Sequence, residues 1–267
     1  MNKIKVVVNG ACGRMGREVV EAVYREPDME LVGAIDIRNN GFDIGPLVGL
    51  EPTGVLVVRN LNKLLQETDV DVVVDFTGPD TVYKNMKTVL ENKVNLVVGT
   101  TGILPEQLEE IKKIAEAQGL GVLIAPNFAI GAVLMMKFAA QAARYLPHVE
   151  IIELHHDQKL DAPSGTALKT AELIQQNRAV FRQGHINEYE KISGVRGGEF
   201  EGMRIHSIRL PGLIAHQEVI FGGLGQTLTI RHDSLNRESF MPGVILSIRK
   251  VMDMKGVIYG LENLITE

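Results

Sequence analysis

The feature that most limits how this chain can fold lies in its first 36 residues: an apolar run, a glycine turn, a helical repeat, a second apolar run and an acidic residue. Residues 4–8, Ile-Lys-Val-Val-Val, read as a buried strand. Asn9-Gly-Ala-Cys-Gly-Arg-Met-Gly16 follows, and Met15, Val19, Val20 and Val23 then recur at helical spacing. Glycines at 10, 13 and 16 let a backbone turn tightly and approach a pyrophosphate at the positive end of a helix. Their spacing departs from the G-x-G-x-x-G fingerprint, so the turn alone is a weak sign and its context carries the argument. Residues 29–35 read as a second strand, and Asp36 ends it twenty residues after Gly16, where a carboxylate can accept from the adenosine ribose hydroxyls. A βαβ unit that binds a nicotinamide dinucleotide is the expectation. Asp36 favours NAD, whereas Arg38 is placed either to hold the extra phosphate of NADP or to lie solvated in its loop. NADH, NADPH or both remain open.

The alternation continues. An irregular stretch at 41–54 leads to a short strand at 55–58 and a helix at 61–65. Residues 70–76 read as a strand buried on both faces, Thr77-Gly-Pro-Asp80 opens a helix to about residue 91, and residues 95–99 form the next strand. Gly99, Thr100 and Thr101 stand at the carboxyl end of that strand, and Ala125, Pro126, Asn127 and Phe128 at the end of the following one. Open parallel sheets bind ligands at such ends, so both loops are candidate floors for the nicotinamide half of the cofactor. Residues 130–145 read as a buried helix with core-filling methionines, and a domain change is expected near 126–130. Further on, residues 177–203 read as a mobile loop that closes over a ligand. Runs at 204–210, 216–221 and 226–232 have hairpin spacing and suggest an antiparallel layer. A last helix at 237–254 carries Phe240, Val244, Ile248 and Val251 on one stripe.

Composition excludes several classes. With 267 residues, 45% hydrophobic content and a net charge of −5, the chain can bury a sizeable core and has no basic footprint for nucleic acid. A single cysteine, Cys12, and seven histidines without Cys/His spacing give no disulfide framework and no expected metal site. The first residues run directly into a strand with no leader-like or membrane-length apolar segment, so a cytoplasmic protein with no membrane partner is the expectation.

The densest chemistry is the stretch Glu153-Leu-His-His-Asp-Gln-Lys-Leu-Asp-Ala-Pro-Ser-Gly-Thr-Ala167. His155, His156 and Lys159 fall within five residues, just after a β-branched run that reads as a strand. Ser164 is a candidate N-cap for a helix starting with Gly165 and Thr166. Free N–H groups at a helix start, facing imidazole and ammonium groups, suit a carboxylate or phosphate. The ligand expected here is a small anion.

Taken together, Asn9-Gly-Ala-Cys-Gly-Arg-Met-Gly16, Asp75-Phe-Thr77, Gly99-Thr-Thr-Gly102, the Glu-Leu-His-His to Ser-Gly-Thr-Ala run, and Ile205-His-Ser-Ile-Arg209 with Pro211-Gly212 resemble the 4-hydroxy-tetrahydrodipicolinate (dihydrodipicolinate) reductase family of the diaminopimelate and lysine pathway. The resemblance spans essentially the whole chain. It implies an α/β fold: a Rossmann-like parallel-sheet nucleotide domain over residues 1–126 with 236–267, and an α+β substrate-binding and oligomerisation domain over 127–235 with a mixed, largely antiparallel sheet. It also implies a homotetramer and NADH- or NADPH-dependent reduction of a cyclic dicarboxylic imine with loss of water. By the same resemblance His155 is the general acid, Lys159 the catalytic lysine, and His156, Gly165 and Thr166 bind the substrate carboxylate. The cofactor positions carry over to Gly10, Ala11, Cys12, Gly13, Arg14, Met15, Asp36, Arg38, Gly99 to Thr101 and Ala125 to Phe128.

Two other readings compete. A Rossmann oxidoreductase of amino-acid metabolism with a linear substrate shares the first domain, but an aspartate-semialdehyde dehydrogenase needs a nucleophilic cysteine, and Cys12 lies in the dinucleotide turn. A non-catalytic dinucleotide sensor has no need of the His-His-Lys cluster.

Overall fold

The first apolar run forms β1 (Ile4–Asn9), with Val6, Val7 and Val8 fully buried, as suits a parallel strand covered on both faces. In this computed structural model, which describes residues 2–179 and 181–265, the chain divides into two compact units, residues 1–128 with 240–267 and residues 129–239. The first unit is built on β1, β2 (Met29–Ile35), β3 (Val57–Val58), β4 (Val72–Asp75), β5 (Asn95–Val98), β6 (Gly121–Ile124) and β12 (Gly256–Tyr259). Their spatial order is β12-β6-β5-β4-β1-β2-β3, every neighbour parallel. Strand order therefore reverses beside β1, and the carboxyl ends of β1 and β4 open the crevice where such sheets take ligands.

Helices α1 (Arg14–Arg25), α2 (Ile44–Leu47), α3 (Leu61–Glu67), α4 (Pro79–Glu91), α5 (Pro105–Gln118) and α8 (Met241–Val251) belong to this unit. Amphipathic spacing explains α1, which buries Val19, Val20 and Val23 on one face. α2 was not expected: Asp43 caps it by accepting from the Gly45 N–H at 2.8 Å, which orders part of the irregular stretch at 41–54.

In the second unit α6 (Ile130–Ala142) and α7 (Gly165–Gln175) accompany a sheet of β7 (His148–His155), β8 (Gly198–Phe200), β9 (Met203–Arg209), β10 (Ala215–Gly223) and β11 (Gln226–Ser234). Its order is β11-β10-β7-β9-β8. Three of its four pairings are antiparallel and one, β7 with β9, is parallel. The α/β class with a second, mixed and mostly antiparallel sheet is thus as the sequence suggested.

The hairpin expected from the runs at 204–210 and 216–221 does not form. β10 is hydrogen-bonded along its length to β7 on one side and β11 on the other, so it has no edge left for β9. β9 instead pairs in parallel with the far edge of β7, after a crossover through α7. Two other expectations shift. The irregular loop of 177–203 gives up residues 198–200 to β8, and its Arg196 pairs with Glu150 at 2.6 Å and with Glu188. The last helix is α8 preceded by a 3-10 turn, Arg237–Phe240, and followed by β12. Among the described residues no helix is long and apolar enough to cross a membrane.

Candidate active site

Two constellations carry the chemistry, one in each unit. In the first unit a cleft of about 630 Å³ opens at the carboxyl ends of the central strands, and Gly10, Gly13, Arg14, Met15, Asp36, Arg38, Gly99, Thr100 and Thr101 line it. Gly10 takes φ +84° and a Cβ there would stand 2.5 Å from the Phe76 carbonyl oxygen, while one on Gly16 would stand 2.0 Å from the Gly10 carbonyl. Only glycine lets α1 start this close to the turn. α1 has neither a side-chain cap nor an acidic residue in its first turn. Gly13, Arg14 and Met15, where the helix starts, line the cleft. Ala11 and Cys12 are buried.

Asp36 is buried and accepts the Cys12 N–H and the Arg38 N–H, each at 2.9 Å, with Arg38 Nε at 3.5 Å. The Arg38 side chain stays mostly in solvent. Below the crevice Asp75, wholly buried, accepts from Asn9 Nδ2 (2.7 Å), Asn85 Nδ2 (2.9 Å), Thr77 Oγ1 (2.7 Å) and Thr100 Oγ1 (3.0 Å). One carboxylate therefore fixes the ends of β1, β4 and β5 together. At the end of β6, Ala125 and Phe128 are buried, Pro126 is exposed and Asn127 half-buried. The Phe128 ring lies 5.7 Å from that of Phe76.

In the second unit His155 is the last residue of β7, His156 and Lys159 follow in the turn, and Gly165 and Thr166 begin α7. The Ser164 hydroxyl caps that helix, accepting the Ala167 N–H at 3.2 Å. Gly165 is exposed, and a Cβ placed on it would meet nothing within 4 Å. Lys159 Nζ pairs with Asp161 at 2.7 Å, and the Lys159 ammonium helps hold the Asp161 carboxyl below its ordinary range.

The residue behind His155 is Glu153, two positions earlier and so on the same face of the strand. It is wholly buried, and its Oε2 lies 2.5 Å from His155 Nδ1. Arg209, opposite His155 on β9, grips both carboxylate oxygens at 2.9 and 2.6 Å. Burial by itself raises the Glu153 pKa, but hydrogen bonds from His155, Arg209 and Ser207 outweigh it and hold the group at about 2. Glu153 is an anion at neutral pH, so His155 Nδ1 must be a donor.

The family models for the dihydrodipicolinate reductase N-terminus and C-terminus match residues 4–128 and 131–265. The chain belongs to the dihydrodipicolinate reductase family. The 4-hydroxy-tetrahydrodipicolinate reductase of Desulfitobacterium hafniense is 57% identical over 264 residues, covering 98% of this chain and 99% of the relative. That of Listeria welshimeri is 58% identical over 262 residues, covering 98% and 100%. A solved structure described as dipicolinate-bound dihydrodipicolinate reductase from Paenisporosarcina sp. TG-14 is 50% identical, with a TM-score of 0.89 over 98% of this chain and all of that one.

Sequence reasoning gave no role to Glu153, Arg209 or Asp75 in this family member, and it passed over Arg59, which follows β3 and lines the cleft near Arg38. Strand alternation was a usable signal for Glu153. Arg209 lies 56 residues from its carboxylate partner, and no local pattern announces that contact.

Proposed function

We propose that this chain reduces 4-hydroxy-2,3,4,5-tetrahydrodipicolinate to 2,3,4,5-tetrahydrodipicolinate with loss of water, using NADH or NADPH, in the diaminopimelate route to lysine. The unit of residues 1–128 with 240–267 binds the dinucleotide and the other unit binds the substrate. The observation that carries the reading is His155 held by a buried carboxylate at the end of β7, with Lys159 and an open helix start at Gly165 in the next ten residues. The names of the D. hafniense and L. welshimeri relatives and the dipicolinate on the Paenisporosarcina protein support the same substrate class.

The glycine turn, the bare start of α1 and the Asp36 carboxylate fit a dinucleotide: backbone N–H groups for its pyrophosphate and an acceptor for its ribose hydroxyls. Arg38, beside Asp36 on the cleft wall, would offer a cationic partner to an added 2′-phosphate, which favours use of both cofactors. Bound there, a nicotinamide dinucleotide supplies hydride. Departure of the 4-hydroxyl as water, with a proton from the adjacent carbon, leaves a carbon–carbon double bond. Hydride adds to one carbon of that bond and His155 gives a proton from Nε2 to the other, so the bond is saturated. Lys159 stabilises negative charge developing on the substrate. His156 with the Gly165 and Thr166 backbone holds a carboxylate at the start of α7, an N-terminus with no acidic residue in its first turn.

The second unit is also the oligomerisation unit. Ile152, Leu154, Ile208 and Ile220 lie half-buried on the sheet face opposite fully buried Ile151, Val219 and Phe221. Glu150, Arg204, His206, His216 and Glu218 share that face, and this mixed apolar and charged surface is the one on which a cytoplasmic homotetramer forms.

The test is oxidation of NADH and of NADPH by the purified protein, with substrate generated in place from pyruvate and aspartate semialdehyde by the preceding synthase. Substrate-dependent oxidation is expected with both. No oxidation by folded protein that still binds NADH overturns the substrate assignment. His155→Gln and Lys159→Ala are expected to cut turnover by about 10² to 10⁴, and near-normal rates in both sink the roles given to them.

A further inference from the structure

The motif around Arg209 has no part in the reaction as described, and it converges on the most buried charge of the second unit. Glu153 carries a full charge out of water, which is costly unless every oxygen is paired. Here it is paired on one side by Arg209 and on the other by His155. The same guanidinium donates through Nη2 to the Asp161 backbone carbonyl at 2.9 Å. Asp161 in turn holds Lys159 Nζ. A single arginine therefore braces the carboxylate behind His155 and the loop that carries Lys159.

The surroundings leave few other influences on the imidazole. On β10 the residues opposite His155 and Glu153 are Ala215 and Gln217. Gln217 is uncharged and donates to Thr170 Oγ1. α7 buries Ala167, Thr170, Ala171 and Ile174, none of them titratable. The charged or titratable groups on the elements around the ring are Glu153 on its own strand, Arg209 on β9, and His156, Asp157 and the Lys159–Asp161 pair in the loop. Of these only Glu153 bonds the ring.

We infer that Glu153, braced by Arg209, is the positioning residue for His155: it keeps the proton of the neutral imidazole on Nδ1 and leaves Nε2 as the atom that exchanges a proton with the substrate. The inference rests on the proposed role of His155 as general acid. A carboxylate that merely filled space would hold neither the tautomer nor the ring orientation. This one accepts from Nδ1, and an acceptor there fixes both.

Two measurements test it. In the unmodified protein, ¹⁵N-histidine spectra recorded where the His155 ring is neutral are expected to show it protonated at Nδ1. A neutral ring protonated at Nε2 overturns the inference, and this experiment does not depend on any variant folding. In kinetics, Glu153→Gln is expected to lower kcat about a hundredfold and to leave the KM for NADH within about twofold. Glu153→Asp, which keeps the charge, is expected to recover part of the lost rate. The same Glu153→Gln change in a His155→Gln background is expected to cost little more.

An equal loss in both backgrounds, or no recovery in Glu153→Asp, overturns the positioning role while His155 keeps its own. A His155→Gln enzyme with full activity removes the general acid itself and the inference with it.

Discussion

The Asp36 carboxylate accepts the backbone N–H of Cys12 at 2.9 Å, tying the end of β2 to the middle of the glycine turn. With the ribose contact proposed above, Asp36 would have two duties, one to the fold and one to the cofactor. Asp36→Ala leaves a buried N–H without its acceptor and is expected to cost about 1–3 kcal/mol in urea denaturation. It is also expected to weaken NADH more than NADPH, because Arg38 and Arg59, which line the cleft, would offer a 2′-phosphate cationic partners that the plain ribose lacks. Equal loss for both cofactors, measured by fluorescence titration, argues against the ribose contact.

Gly16 is the position where the turn is least tolerant. A methyl group there meets the Gly10 carbonyl oxygen at 2.0 Å and its carbon at 2.7 Å, and backbone on both sides prevents cheap relief. Gly16→Ala is expected to destabilise the protein by about 1–3 kcal/mol or more and to weaken both dinucleotides together, since displacing α1 would move the N–H groups proposed to hold the pyrophosphate of either one. A variant with normal melting and normal NADH affinity contradicts the close approach of α1 to the turn.

Local patterns made the first unit readable. The glycine turn, Asp36 and the apolar runs of β1, β4 and β5 announce themselves within windows of a few residues, and the α/β class follows from their alternation. The second sheet was less legible, because adjacency in sequence suggested a β9–β10 hairpin that competition for the edges of β7 and β10 prevents. β12 escaped notice as a four-residue strand stabilised by pairing with β6, more than a hundred residues earlier. At the candidate site, His155, His156, Lys159, Gly165 and Thr166 stand out as a sequence cluster. Their supports, Glu153 with Arg209, join residues 56 apart, a relation that exists only once β7 and β9 are paired.

The last segment returns to the first unit through two kinds of contact of very different worth. Ile248 on α8 is wholly buried. Arg249 beside it pairs with Glu26 and, at 2.8 Å, with Asp28 from an exposed position. Ile248→Ala is expected to cost about 2–5 kcal/mol through lost burial and a cavity. Arg249→Ala is expected to cost no more than about 1 kcal/mol, less in high salt. Urea melts at low and high ionic strength check both, and a larger loss for Arg249→Ala contradicts the assignment of stability to the apolar face of α8.

Glu153 also sets an acid limit on stability. Its pKa falls from 4.5 in the ordinary state to about 2 in the fold, so above pH 4.5 the folded protein holds the carboxylate in a form the unfolded chain gains nothing from. Below that the unfolded chain takes up a proton first, and the advantage drains away as pH falls toward about 2. A shift of this size corresponds to a stabilisation on the order of 3 kcal/mol at neutral pH. Glu153→Gln cannot titrate and leaves Arg209 without its anion, so it is expected to be less stable than the natural protein at pH 7. The gap is expected to narrow steadily between pH 5 and pH 2, by about 2–3 kcal/mol. Urea denaturation of both proteins at several pH values in that window measures the difference directly. A gap that stays constant across it means that Glu153 is not held as a buried anion, and the carboxylate behind His155 then has no charge with which to orient it.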